Sequence, residues 1–185
     1  MNIRVAALLA LLVSGTSVLA ADALTSFGHD NKAELFGYYL PPDGTKTGHY
    51  LLHDLAIGPL EDLKKWETGN DRMATYAPVM FQFTDLSNKL VKNEESGEME
   101  YSNEVRVLPT AYRIKGNMIA FVGSSNAIGT VTFTGTFDIK TVAKLNAEAG
   151  TDNAEAQSKR DVMKGNLTIA GRPYKNTGLS WFGGD

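Results

Sequence analysis

In "GTVTFTGTFDIKTV", residues 129 to 142, apolar and polar side chains alternate with a period of two and then meet a charged corner. This pattern predicts a half-buried strand that turns at the corner into a second strand. The chain repeats the theme. "AELFGYYL" (33–40) is rich in aromatic and apolar residues and stops at Pro41-Pro42-Asp43-Gly44, a strong turn signal. "HYLLHDLAIG" predicts another strand ending at Gly58-Pro59, and "APVMFQFTDL" (77–86) one with Val79, Phe81 and Phe83 on a single face.

Between those two strands the period changes. In "PLEDLKKWETG" the apolar Leu60, Leu63 and Trp66 recur at helical spacing, Pro59 stands at the first turn, acids precede lysines, and Gly69 ends the run. The spacing predicts one short helix over about 59–68, with its Leu60/Leu63/Trp66 stripe packed on a sheet.

Further on, "EVRVLPTAYRIKGNMIAFVG" predicts two strands about a turn at Lys115-Gly116-Asn117. "SNKLVKNEESGEMEYSNE" reads as a solvated acidic loop, whose acids lack the alternate spacing of a calcium loop. "TDNAEAQSKRD" reads as a polar exposed loop. Turns at Gly165-Asn166 and Gly171-Arg172-Pro173 punctuate the remaining short strands. The fold class expected is mainly β, an antiparallel β-barrel or sandwich with one short α-helix. An N-terminal β-rich half (21–115) would precede a barrel-like half (116–185), the two forming either separate units or one compact domain.

Composition adds a compartment. Met1 to Arg4 is a short basic start, Val5 to Val13 an uncharged apolar run, and Val18-Leu19-Ala20 offers a cleavage site, so residues 1–20 read as a signal peptide cut near Ala20. The run is shorter than the roughly 20 residues that span a bilayer, and no second long apolar stretch follows. The protein is expected to be secreted or periplasmic and not membrane-spanning. There is no cysteine, so disulfides, thiolate metal sites, Cys nucleophiles and an N-terminal lipid-anchor Cys are not expected. The 18 basic residues, less Arg4, stand against 21 acidic ones. Nucleic acid is not an expected partner, because it calls for clustered Lys and Arg on a basic domain.

No G-x-S-x-G elbow is present and no Ser falls on a strand-to-helix turn, so the expectation is a binding protein and not an enzyme. The three histidines form the candidate chemistry: His29 in "FGHDNK", and His49 and His53 in "GHYLLHD". On a strand, positions four apart point the same way but lie about 13 Å apart, so His49 and His53 cannot share one bare metal ion. Haem iron is different, since one axial His, or two from separate segments, suffices. Phe27, Phe36, Tyr38, Tyr39 and Tyr50 crowd the same stretch and can wall an apolar slot.

The segments "GTVTFTGTFDIKTVAKLNAE" and "KGNLTIAGRPYKNTGLSWFGGD" resemble the C-terminal eight-stranded barrel of the transferrin-binding protein B type. They share a strand with G-x-F, a D-x-K-T-V corner, a G-N-L-T-I hairpin and a closing F-x-G turn. That module occurs in exported Gram-negative proteins handled by Slam-type translocators. The order of parts is similar to that of the hemophilins, secreted haem-binding proteins. The resemblance implies haem as cofactor, use in iron acquisition, and an outer-membrane receptor as partner. On chemical grounds His53 and His49 are alternative iron ligands, His29 the candidate opposite ligand, Tyr38 or Tyr39 candidate substitutes, and Tyr50 a wall. The competing expectations are a periplasmic lipocalin-like carrier of an apolar or lipid ligand, similar to the YceI kind, and a non-catalytic envelope or adhesion module.

Overall fold

The computed structural model describes residues 24–30, 32–70, 72–94, 97–148 and 160–184; the expected signal segment and residues 151–159 of the polar tip lie outside them. In chain order the elements begin with β1 (Phe27–His29), β2 (Gly37–Leu40), β3 (Lys46–Thr47), β4 (Tyr50–Ile57) and helix α1 (Leu60–Thr68). Next come β5 (Val79–Asp85), β6 (Leu90–Lys92), β7 (Met99–Tyr101), β8 (Glu104–Val107), β9 (Pro109–Lys115) and β10 (Met118–Ser125). The chain closes with β11 (Gly129–Phe137), helix α2 (Ile139–Ala147), β12 (Met163–Ile169) and β13 (Arg172–Phe182).

The fold is mainly β. One curled sheet runs in the order β1-β9-β10-β11-β12-β13-β2-β4-β5-β8, with β3 attached to β4. All its pairings are antiparallel except β1 on β9. The path returns toward its start, because β8 and β9 are one length of chain interrupted only at Leu108. Pro109, which has no N–H to give a ladder, stands at the first residue of β9, where a strand tolerates it. Opposite it, β10 shifts register between Val122 and Gly123. The chain bends here, and the sheet curls into a half-barrel.

Alternation places one set of side chains inside. Leu55, Phe81, Phe83, Val107, Tyr112, Phe121, Val131 and Ile169 are fully buried. The Phe81 ring lies 5.0 Å from that of Phe121 and 5.9 Å from that of Phe133, each near-perpendicular. Since β5 neighbours neither β10 nor β11, these edge-to-face contacts cross the lumen, which side chains therefore fill.

Helix α1 forms as its sequence predicts. Pro59 is the extended residue before it, Glu61 and Asp62 face the positive end of the helix dipole, and Gly69 (φ +81°) closes it with an N–H to the Trp66 carbonyl. Leu63 and Trp66 are buried, and Phe27 meets Trp66 edge-on at 6.1 Å. The structure corrects the sequence reading at three places. The D-x-K-T-V corner leads into helix α2 and not a strand, because the Asp138 carboxylate caps the Thr141 amide and Val142 and Leu145 share a buried face. The acidic loop contains a two-stranded arm, β6 paired with β7. The strand read from residue 33 begins only at Gly37, whose φ is +139°.

Candidate functional site

The outer face of β13, β2, β4, β5 and β8 carries a groove of about 560 Å³. The register explains its lining. Tyr39, Leu55, Phe81 and Val107 point inward, so the positions between them point out: Tyr38 on β2, Asp54 on β4, Gln82 on β5, and Glu104 and Arg106 on β8. Tyr38 and Phe182 form an aromatic wall with ring centroids 6.2 Å apart. Leu40 and Tyr101 add apolar surface, and Ser102, Asn103 and Thr84 complete a polar rim.

The centre of the groove is a bulge. Between Leu52 and Asp54 the register of β4 on β5 shifts, so His53 is the extra residue and Asp54 falls opposite Gln82. Asp54 is fully buried. Its carboxylate accepts from His53 Nδ1 at 2.6 Å and from the Gln82 amide at 2.9 and 3.0 Å. With the carboxylate accepting, the proton of neutral His53 sits on Nδ1, which leaves the lone pair on Nε2. Among the described residues Nε2 has no hydrogen-bond partner, and the His53 side chain is 64% exposed. The hydrogen bond to Asp54 raises the His53 pKa above its ordinary 6.5; burial opposes it and the charges of Asp54 and Glu104 add to it.

Of the six residues singled out from sequence, His53 and Tyr38 line the groove and the other four do not. Tyr39 faces the core with no exposure, donates its hydroxyl to the Leu35 carbonyl at 2.8 Å, and is held in the neutral phenol form by burial. His49 precedes β4, meets the Tyr50 ring at a tilt with centroids 4.1 Å apart, and lies 3.5 Å from an Asp85 oxygen. His29 sits at the other end of the sheet, with Nδ1 at 2.8 and 2.9 Å from the two oxygens of Glu67 on α1. The buried Tyr112 hydroxyl donates to the same carboxylate at 3.0 Å. Gln82, Glu104, Arg106, Tyr101 and Phe182 are groove residues that the sequence reading missed. One signal was present: Asp54 and Gln82 interrupt otherwise apolar strands, and a buried polar residue needs a partner.

No group of three His, Cys, Asp or Glu able to hold a bare metal ion occurs among the described residues. Ser102 donates its hydroxyl to Asn103 at 3.4 Å, and among the described residues no hydroxyl bonds His53. No described helix is long and apolar enough to cross a membrane. Comparison of the chain with protein-family models, curated proteins and solved structures gave no match.

The His29 and Tyr112 bonds to Glu67 tie α1 to β1 and β9 and lie outside the groove. His29→Ala should lower stability by about 1–2 kcal/mol, read as an earlier urea midpoint, while leaving ligand binding in the groove unchanged. Lost binding with unaltered stability would return His29 to the site.

Proposed function

We propose that this is an exported, non-catalytic binding protein whose ligand is haem, taken up in the outer groove with His53 Nε2 as the single protein ligand to iron. The observation that carries this reading is the His53 pair. Its Nδ1 is fixed on a fully buried carboxylate, Nε2 is left without a hydrogen-bond partner among the described residues, and the exposed side chain lines the groove. Histidines that ligate metals commonly donate their other N–H to a carboxylate, which fixes the tautomer and raises ligand basicity. A porphyrin brings its own equatorial donors, so one imidazole is enough, and Tyr38, Phe182, Tyr101 and Leu40 offer apolar surface to the ring. Since His29 and His49 stand elsewhere, a bis-histidine complex is not proposed. The filled lumen weighs against a carrier that encloses an apolar chain inside the barrel. Iron acquisition, with handover to an outer-membrane receptor, is the use this reading implies.

Titration with hemin tests it. The expected result is a saturable one-to-one Soret change that His53→Ala removes. The pH dependence has a definite sign. Iron competes with a proton for Nε2, so hemin affinity rises as pH passes upward through the raised His53 pKa and levels off above it. The stabilisation that the protonated pair gives the fold runs the other way: fully present below about 6.5, it is lost as pH rises through the raised value. A non-saturating response, or affinity indifferent to both His53 and pH, would sink the haem reading.

A further inference from the structure

We infer that Arg106 is the specificity-determining residue of the groove, binding a carboxylate of the ligand whose iron rests on His53; this rests on the haem reading above. Three observations lead there. Arg106 lies directly across β5 from the bulge: it pairs with Gln82, which pairs with Asp54. Two strand spacings separate it from β4, about 10 Å, a span comparable to that from the centre of a porphyrin to its propionate carboxylates.

Its guanidinium is also fixed in place. Nε and one terminal nitrogen donate to the two Glu104 oxygens at 3.1 and 3.0 Å, and the other terminal nitrogen donates to the Thr75 carbonyl at 3.1 Å. A guanidinium has five N–H groups, so each terminal nitrogen keeps one further N–H. Such a planar fork matches a carboxylate in two parallel bonds, which an ammonium cannot do. Finally, Arg106 is a cation in a groove whose other charged groups are Asp54, Glu104 and, when protonated, His53. Asp54 is occupied by His53 and Gln82, so Glu104 is the charge a ligand carboxylate meets beside Arg106.

Hemin and its dimethyl ester, which keeps the iron and loses both negative charges, separate this assignment from the reading beneath it. With the unaltered protein, hemin should bind about tenfold or more tightly than the ester. Arg106→Gln should remove that difference by weakening hemin alone, and Glu104→Gln, which leaves Arg106 in place and removes a competing anion, should tighten hemin severalfold. Circular dichroism of each variant checks that the fold is kept. Equal affinities for the two porphyrins, both indifferent to Arg106→Gln, overturn the assignment and leave the haem reading standing. If neither porphyrin gives a saturable change, both fall together.

Discussion

Gly37→Ala destabilises the protein by about 3 kcal/mol and lowers its melting temperature by about 6–12 °C. Two causes act together. Gly37 has φ +139°, a conformation that side-chain-bearing residues rarely adopt, at a cost of about 1–3 kcal/mol. A Cβ there would also overlap the Trp181 indole nitrogen and lie 2.9 Å from its Cε2 and 3.0 Å from the Phe182 carbonyl. Trp181 has no room to retreat: it is 2% exposed, and its N–H donates to the Phe36 carbonyl at 3.0 Å. This is also where β13 pairs with β2, so the strain falls on the seam and, through Tyr38 and Phe182, on the aromatic wall of the groove. Gly44→Ala is the matching control, because Gly44 has φ +79° with open space around it. It should cost only the backbone term, about 1 kcal/mol. Equal losses in calorimetric melts of the two variants would show that the indole contact is not what Gly37 serves.

Asp54→Asn is the second large effect, and it acts through a proton. The carbonyl of the substituted amide can still accept from Gln82, which turns its NH2 group toward His53. Nδ1 must then accept, so the proton moves to Nε2, and the lone pair that would meet iron is gone. Hemin affinity should fall by about 10–100-fold, the range for losing a carboxylate behind a ligating histidine. The far-ultraviolet dichroism should hold, since shape and volume are kept. The pH midpoint of binding should move down as well, because the hydrogen bond that raises the His53 pKa is removed. Unchanged affinity in this variant would separate Asp54 from ligand binding and leave it a core polar residue.

What the sequence disclosed was local. The Val79/Phe81/Phe83 face, the Pro59-to-Gly69 helix and the turn at Gly116 each depend on a few adjacent residues, and each stands where the periodicity puts it. Helix α2 was legible but overlooked. Asp138 at the cap position and Val142 and Leu145 at helical spacing were present, and the strong alternation of Gly129–Phe137 was carried past its end. The groove was not legible. It depends on a one-residue register shift at His53, on Gln82 and Arg106 arriving from strands 28 and more residues away, and on Phe182 closing from the far end of the chain. The three histidines looked alike in sequence. Their neighbours in space make one a tether, one a surface ring and one a groove residue.

The seam between β13 and β2 also sets the order of assembly. Ser180 pairs with Leu40, so this seam cannot form until the chain has been made as far as β13. Contacts of such sequence separation slow folding, because the entropy of closing the intervening loop is lost before the pairing stabilises anything. A chain emerging from its N-terminus would hold β4 and β5 as an open antiparallel pair joined through α1 and build β9 to β12 beside it, with sheet edges able to pair with other chains until β13 arrives. The last eleven-residue strand thus acts as the latch of the fold. The lifetime of the unlatched state, more than the stability of the finished half-barrel, would set how much of the newly made protein is lost to aggregation.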